Sequence, residues 1–100
     1  MSSVKTLSIK KIFDNVRVEI EITREQGDLN TLVLKVKDEQ TEIPLSDLRA
    51  TLIQDEIELE SYVTKNGKAV FENIKQGKYF IQISGPHNPV GIINLELNKE

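Results

Sequence analysis

The sequence predicts an all-β fold, an antiparallel β-sandwich of about seven strands joined in Greek-key fashion. Short runs alternate apolar and polar residues with a period of two, the repeat of a strand with one face buried. Turn signals rich in Gly, Asn and Asp separate these runs about every ten residues. A single run, residues 46–54, also fits a short helix.

Composition limits the classes of function. One hundred residues suffice for one domain that buries roughly 60–70% of its unfolded surface. The chain has no Cys and one His, which excludes disulfides and metal sites built from those residues. A net charge of −3 with dispersed Lys and Arg argues against nucleic-acid binding. No apolar run approaches the ~20 residues needed to cross a bilayer, so we expect no membrane insertion.

The first 37 residues contain one ambiguous segment and two clear strands. Residues 1–15 are interpreted as a short edge strand or an N-terminal segment linking to a preceding domain, and the sandwich domain proper spans residues 16–98. Residues 16–24 and 31–37 each place apolar side chains on one face and charged ones on the other. They are predicted to pair as a hairpin, with Glu19 and Glu21 near Lys35 and Lys37.

The middle of the chain contains a polar loop and two further candidate strands. Residues 38–46 include Pro44, which disfavours a central strand. Residues 46–54 fit either a helix capped by Ser46 or a strand with Leu48 and Ala50 inward. Residues 57–63 are predicted to form a strand, and their alternation indicates that Tyr62 points outward.

The last part of the chain is organised around residues 64–83. Asn66-Gly67 predicts a type I′ turn, because both residues tolerate a positive φ. Ala69 and Phe71 alternate towards one face, residues 73–77 predict a reversal of the chain, and residues 79–83 predict another strand. A loop with two prolines and a final strand ending near residue 97 complete the sandwich.

The stretch 64–83 resembles the signature of transthyretin-like (prealbumin-like) β-sandwich domains. Relatives of that family include carboxypeptidase regulatory-like domains and the B-type repeats of bacterial collagen adhesins. The resemblance covers roughly residues 43–98 and favours the strand interpretation of residues 46–54. The matching positions are Thr64, Gly67, Ala69, Phe71, Asn73, Ile74, Gly77, Tyr79, Ile81 and Ile83.

Nothing in the sequence nominates a catalytic centre. His87 lies in a loop without a nucleophile at a recognisable spacing, and we interpret it as an exposed imidazole. The hydrolases that share the transthyretin-like fold use several His and Arg residues, which this chain does not match. The acidic residues near positions 38–42 and 55–60 lack the spacing of a calcium loop. We therefore expect no enzymatic activity, no cofactor and no metal.

The remaining expectation is a noncatalytic module that binds another protein, in an intracellular adaptor or regulatory role. Its candidate contact residues are Tyr62, Val70, Phe80 and Ile92, which the alternation places on outward faces. The alternative is a structural or carbohydrate-binding domain of a larger cell-surface protein, although the chain has no Trp and two Tyr for stacking on sugars. The N-terminal residues lack the apolar core of a signal peptide, so the expected location is the cytoplasm unless the chain is a fragment of a secreted protein.

Overall fold

The computed structural model describes residues 6–25, 27 and 29–98, and these residues form an all-β sandwich. The predicted fold class is confirmed, with eight strands in place of about seven and no helix in the described ranges. The strands are β1 (Thr6–Phe13), β2 (Val16–Arg24), β3 (Leu29–Asp38), β4 (Arg49–Gln54), β5 (Ile57–Val63), β6 (Lys68–Lys75), β7 (Gly77–Ser84) and β8 (Pro89–Leu97).

Two antiparallel sheets of four strands enclose one core. Sheet A has the order β1-β2-β3-β6, and sheet B has the order β5-β4-β7-β8. The chain crosses between the sheets so that β6 returns beside β3 and β7 returns beside β4, which are Greek-key connections. The largest fully buried side chains come from both sheets and include Phe71, Ile20, Leu34, Leu52 and Ile81. Their burial against one another is the main favourable contribution to folding.

The β2–β3 hairpin follows its sequence pattern. Val18, Ile20 and Ile22 are buried on β2, while their polar neighbours face solvent. On the outer face Lys35 Nζ lies 3.3 Å from Glu21 Oε1, one of the predicted cross-strand ion pairs. Because both side chains are exposed, this pair contributes only tenths of a kcal/mol.

The segment before that hairpin forms the edge of sheet A. Residues Thr6–Phe13 pair with β2 along their whole length as β1. Phe13 and Ile9 are half-buried against the core. The ring of Phe13 lies on Gly91 of β8, where an added Cβ would overlap the ring. A glycine at this position therefore lets the edge strand close on the opposite sheet.

Residues 49–54 form a strand, as the family resemblance predicted, and not a helix. Ala50 and Leu52 of β4 are fully buried between β5 and β7. The preceding loop runs along β3, and Pro44 forms an isolated bridge with Lys37. Tertiary packing against two neighbouring strands decides between the two local patterns that the sequence allowed.

Two turn predictions had different outcomes. Asn66 and Gly67 have φ values of 51° and 73°, which confirms the type I′ turn. This turn joins strands that belong to different sheets, so it closes only a short Lys65–Lys68 bridge. The predicted reversal over residues 73–77 is confirmed only at its end, because β6 continues to Lys75 and the chain bends at Gln76 into β7. Asn73, with φ 60°, instead forms a β-bulge against β3.

Candidate functional site

The four predicted contact residues do not lie on one surface. Tyr62 was expected to point outward; it is 42% exposed, but at the margin between the two sheets and not on the outer face of sheet B. In the pairing of β4 with β5, Tyr62 lies opposite the buried Ala50, so both side chains face the inside of the sandwich. The Tyr62 ring meets the buried Phe71 ring edge-on, with centroids 5.2 Å apart. Tyr62 therefore covers the end of the core at its open margin.

A bulge in β5 explains why the sequence pattern failed at this residue. The register shifts between Leu52 and Ile53 of β4, so one residue of β5 has no direct partner. An extra residue in one strand reverses the inward and outward positions that follow it. Alternation counted from Ile57 therefore assigned Tyr62 to the wrong face.

Val70 lies on the outer face of sheet A. It pairs directly with Val33 of β3, and both side chains are surrounded by polar neighbours. Charged residues cover this outer face, whereas the outer face of sheet B has its charged residues, Arg49, Glu58, Lys78 and Glu96, around the margin. The charged positions on sheet A, derived from the strand registers, are Lys10, Arg17, Glu19, Glu21, Lys35, Lys37 and Lys68.

Phe80 and Ile92 lie together on the outer face of sheet B. Phe80 pairs with Asn94 and Ile92 pairs with Gln82, so the two apolar residues are diagonal neighbours across β7 and β8. Phe80 is 47% exposed and Ile92 is 58% exposed. These two predicted contact residues therefore share one surface.

The structure adds neighbours that the sequence analysis did not single out. Ile53 of β4 lies directly opposite Phe80, and Thr51 lies opposite Gln82. Two adjacent rows of outward side chains thus cross sheet B: Glu58, Ile53, Phe80 and Asn94 form one row, and Ser61, Thr51, Gln82 and Ile92 form the next. Glu58, at the β5 edge, is the only charged residue in these two rows. We call this surface the sheet B face, defined by Ile53, Phe80, Asn94, Thr51, Gln82, Ile92 and Ser61.

Polar contacts hold one side of the sheet B face in place. The Thr51 and Ser61 hydroxyl oxygens lie 3.0 Å apart in a hydrogen bond. Arg49 Nη1 donates to Ser61 Oγ at 3.0 Å. Thr51 is buried although it lies on the outer face, because these neighbours cover it. Side chains fixed before binding lose less entropy when a partner arrives.

The acidic residues of the β3–β4 loop are engaged within the protein. Arg17 Nε lies 2.9 Å from Glu39 Oε1, and Arg17 Nη2 lies 3.2 Å from Glu42 Oε1. Within the described ranges, no group of three or more potential metal ligands is present. His87 is exposed in the β7–β8 loop. Among all the residues that the structure describes, no helix has the length and hydropathy to cross a membrane.

The carboxylate of Asp38 stabilises the β3–β4 loop in a pH-dependent way. Its Oδ1 accepts the backbone N–H groups of Gln40 and Thr41, each at 2.9 Å. Hydrogen bonds from the Thr41 and Gln40 backbone lower the pKa of the Asp38 carboxyl below its usual value. A carboxyl whose pKa is lowered by folding stabilises the folded state above its unfolded pKa, and this contribution disappears as the pH falls through the folded pKa.

We therefore expect Asp38→Asn to lower the melting temperature at neutral pH. The difference from the wild type should shrink as the pH falls below about 4, the ordinary pKa of an Asp side chain. Thermal unfolding of both proteins between neutral pH and the lowest pH at which they remain folded measures this. A difference that stays constant with pH would show that the Asp38 charge does not anchor the loop.

Comparison with known proteins does not assign a family. The chain matches no protein-family model, no curated protein and no solved structure. The surface of the protein is therefore the basis for assigning its function. A shallow depression of about 490 Å³ is present at one end of sheet B, lined by Gln76–Lys78 and Glu96–Asn98. It is open to solvent, unlike the enclosed clefts that bind small ligands, so the sheet B face remains the stronger candidate site.

Proposed function

We propose that this protein is a noncatalytic β-sandwich module that binds another protein through the sheet B face, as an adaptor or regulatory component. The observation that carries the proposal is the contrast between the two outer faces. Charges cover sheet A, whereas the centre of the sheet B face is uncharged and contains Phe80, Ile53 and Ile92. Protein interfaces are depleted of charge at their centre and enriched in aromatic residues.

The partner implied by this surface is a protein with an uncharged, partly apolar patch of its own. Phe80 supplies the aromatic anchor, since a large exposed ring loses little side-chain freedom on binding. Gln82 and Asn94 flank it and offer amide donors and acceptors for orientation. A flat sheet surface of this kind fits side-chain contact with a folded partner.

The proposal also includes membership of the transthyretin-like group of β-sandwiches. The support is the motif in residues 64–83, where Gly67, Phe71 and Ile81 have the turn or core positions that the resemblance implies. Such domains serve many functions, so the resemblance supports the fold more strongly than the function.

The test compares substitutions on the two outer faces. Phe80→Ser/Ile92→Ser removes the apolar centre of the sheet B face, and Val33→Ser/Val70→Ser is the matched control on sheet A. Both variants and the wild type are immobilised, and bound proteins from the source cells are quantified by mass spectrometry. We expect a partner that binds the wild type and the control but binds the Phe80/Ile92 variant at least about tenfold more weakly.

Circular dichroism and thermal unfolding first verify that both variants retain the fold. Equal loss of the partner from both variants, or equal retention by both, would contradict binding through the sheet B face. Binding to glycans in place of proteins, and its loss in the Phe80/Ile92 variant, would favour the carbohydrate-binding alternative.

A further inference from the structure

The edge of sheet A at β1 is more regular than the other three sheet edges. Each position from Thr6 to Phe13 pairs with β2 without a register shift. Bulges interrupt β5 and β6, and β8 has a register shift next to Pro89. Regular, unpaired edges are templates for a further strand, whereas bulges and prolines protect an edge. Within the described ranges, β1 thus offers the longest uninterrupted template, eight residues.

The β1 strand is held firmly enough to act as a template. Ile9 and Phe13 pack against the core, and the Phe13 ring rests on Gly91 of the opposite sheet. Alternate residues of an antiparallel edge strand direct their N–H and C=O groups away from the sheet. A strand that is already ordered lets an incoming segment form these backbone hydrogen bonds without first ordering the template.

The side chains of β1 specify the chemistry of the incoming segment. Lys10 and Lys11 are exposed neighbours, so they project to opposite faces of the sheet. Lys10 lies across from Glu19, whereas Lys11 lies across from Val18 and has no carboxylate opposite it. One exposed aliphatic residue accompanies each lysine on its face: Leu7, 58% exposed, with Lys11, and Ile12, 51% exposed, with Lys10.

We propose that β1 binds an extended acidic segment of another protein by strand addition. The segment carries two consecutive carboxylates opposite Lys10 and Lys11 and aliphatic residues on either side of them. Backbone hydrogen bonds supply affinity, and the paired charges select the sequence and its register. A second copy of β1 is a poor occupant, because antiparallel pairing would bring two lysine pairs into one short stretch.

Titration with designed peptides tests this inference. The probe is an acetylated, amidated peptide, Val-Ile-Glu-Asp-Val-Thr-Val-Thr, and its control replaces Glu-Asp with Lys-Lys. Binding to the ¹⁵N-labelled full chain is followed by amide NMR shifts and by hydrogen exchange. We expect saturable shifts in β1 and its neighbour β2, slower exchange of outward β1 amides, and at least about tenfold weaker binding of the Lys-Lys peptide.

A charge-exchanged variant provides the decisive control. Lys10→Glu/Lys11→Glu changes only exposed side chains, and it should reverse the preference so that the Lys-Lys peptide binds better. The proposal would be overturned if the amide shifts appeared on the sheet B face, if binding did not saturate, or if the variant kept the wild type's preference between the two peptides. Sedimentation that shows the unliganded chain self-associating, with the variant monomeric, would overturn it in favour of pairing between copies. Because the expected shifts are confined to β1 and β2 of sheet A, the result is independent of the sheet B face.

Discussion

Gly67→Ala is expected to lower the free energy of unfolding by about 2–5 kcal/mol, because two costs coincide at this position. Gly67 has a φ of 73°, a left-handed conformation that costs a residue with a side chain about 1–2 kcal/mol. The added Cβ would also lie 2.5 Å from the Val36 carbonyl oxygen and 2.9 Å from Pro44 Cβ. Such overlap with fixed neighbours costs about 1–3 kcal/mol more.

The Val36 carbonyl oxygen, which the added Cβ would overlap, takes part in the hydrogen bonds that fix the loop before β4. The Val36 carbonyl oxygen accepts the Leu45 N–H at 3.0 Å, and the Val36 N–H donates to the Gly67 carbonyl at 2.7 Å. A side chain at residue 67 would displace these groups and separate the turn from β3. Urea unfolding should show a lower midpoint with an unchanged slope, since the folded state loses stability without a change in the surface that unfolding exposes.

Gly27→Ala is the matched control for this prediction. Gly27 has nearly the same φ, 75°, but nothing lies within 4 Å of the position that a Cβ would occupy. We expect it to cost only the conformational part, about 1–2 kcal/mol. Equal losses in the two variants would show that the approach of Gly67 to Val36 does not restrict the turn.

Thr64→Val is the second large effect, with an expected loss of about 2–4 kcal/mol. Thr64 is buried where the chain crosses from sheet B to sheet A. Its hydroxyl donates to the Leu45 carbonyl at 3.0 Å and accepts the Leu48 N–H at 3.2 Å. Valine has a similar shape and removes both bonds, so a partly buried donor, the Leu48 N–H, and a partly buried acceptor, the Leu45 carbonyl, lose their partner.

Comparison with Thr64→Ser separates the hydroxyl from the packing. Serine keeps the hydroxyl and loses one methyl group, which costs about 1 kcal/mol. The order of stability should therefore be wild type, Thr64→Ser, then Thr64→Val, measured by thermal or urea unfolding. If the valine variant is the more stable of the two, the two hydroxyl bonds do not hold the loop.

The fold class was predictable because burial and alternation are local properties of these strands. Residues 16–24 carry apolar side chains at every second position, and only an antiparallel strand with one solvent-exposed face buries all of these side chains. The Asn66-Gly67 turn was predictable because Asn and Gly favour positive φ values, whereas Asp55-Glu56, with φ values of 52° and 66°, adopts two consecutive positive φ values without that signal. These signals involve neighbours in sequence, so no tertiary information was needed.

Half of the candidate site was predictable in the same way. Phe80 and Ile92 are outward in strands without a bulge between them, so counting by two placed both correctly. Ile53 and Thr51 escaped notice because their place beside Phe80 and Gln82 depends on which strands flank β4, and the sequence does not contain that order. Ser61 and Arg49, which support the face, are separated by 12 residues and meet only across β4 and β5.

The sequence by itself determined the all-β class, the type I′ turn and the inward residues of the regular strands. Only the tertiary structure decided the bulges that turned Tyr62 inward and kept Asn73 within β6. It also decided the order of strands that covers the outer face of sheet A with charge and leaves the centre of the sheet B face uncharged. The physical reason is range: alternation records whether a side chain is buried, whereas register and strand order depend on packing between residues distant in sequence.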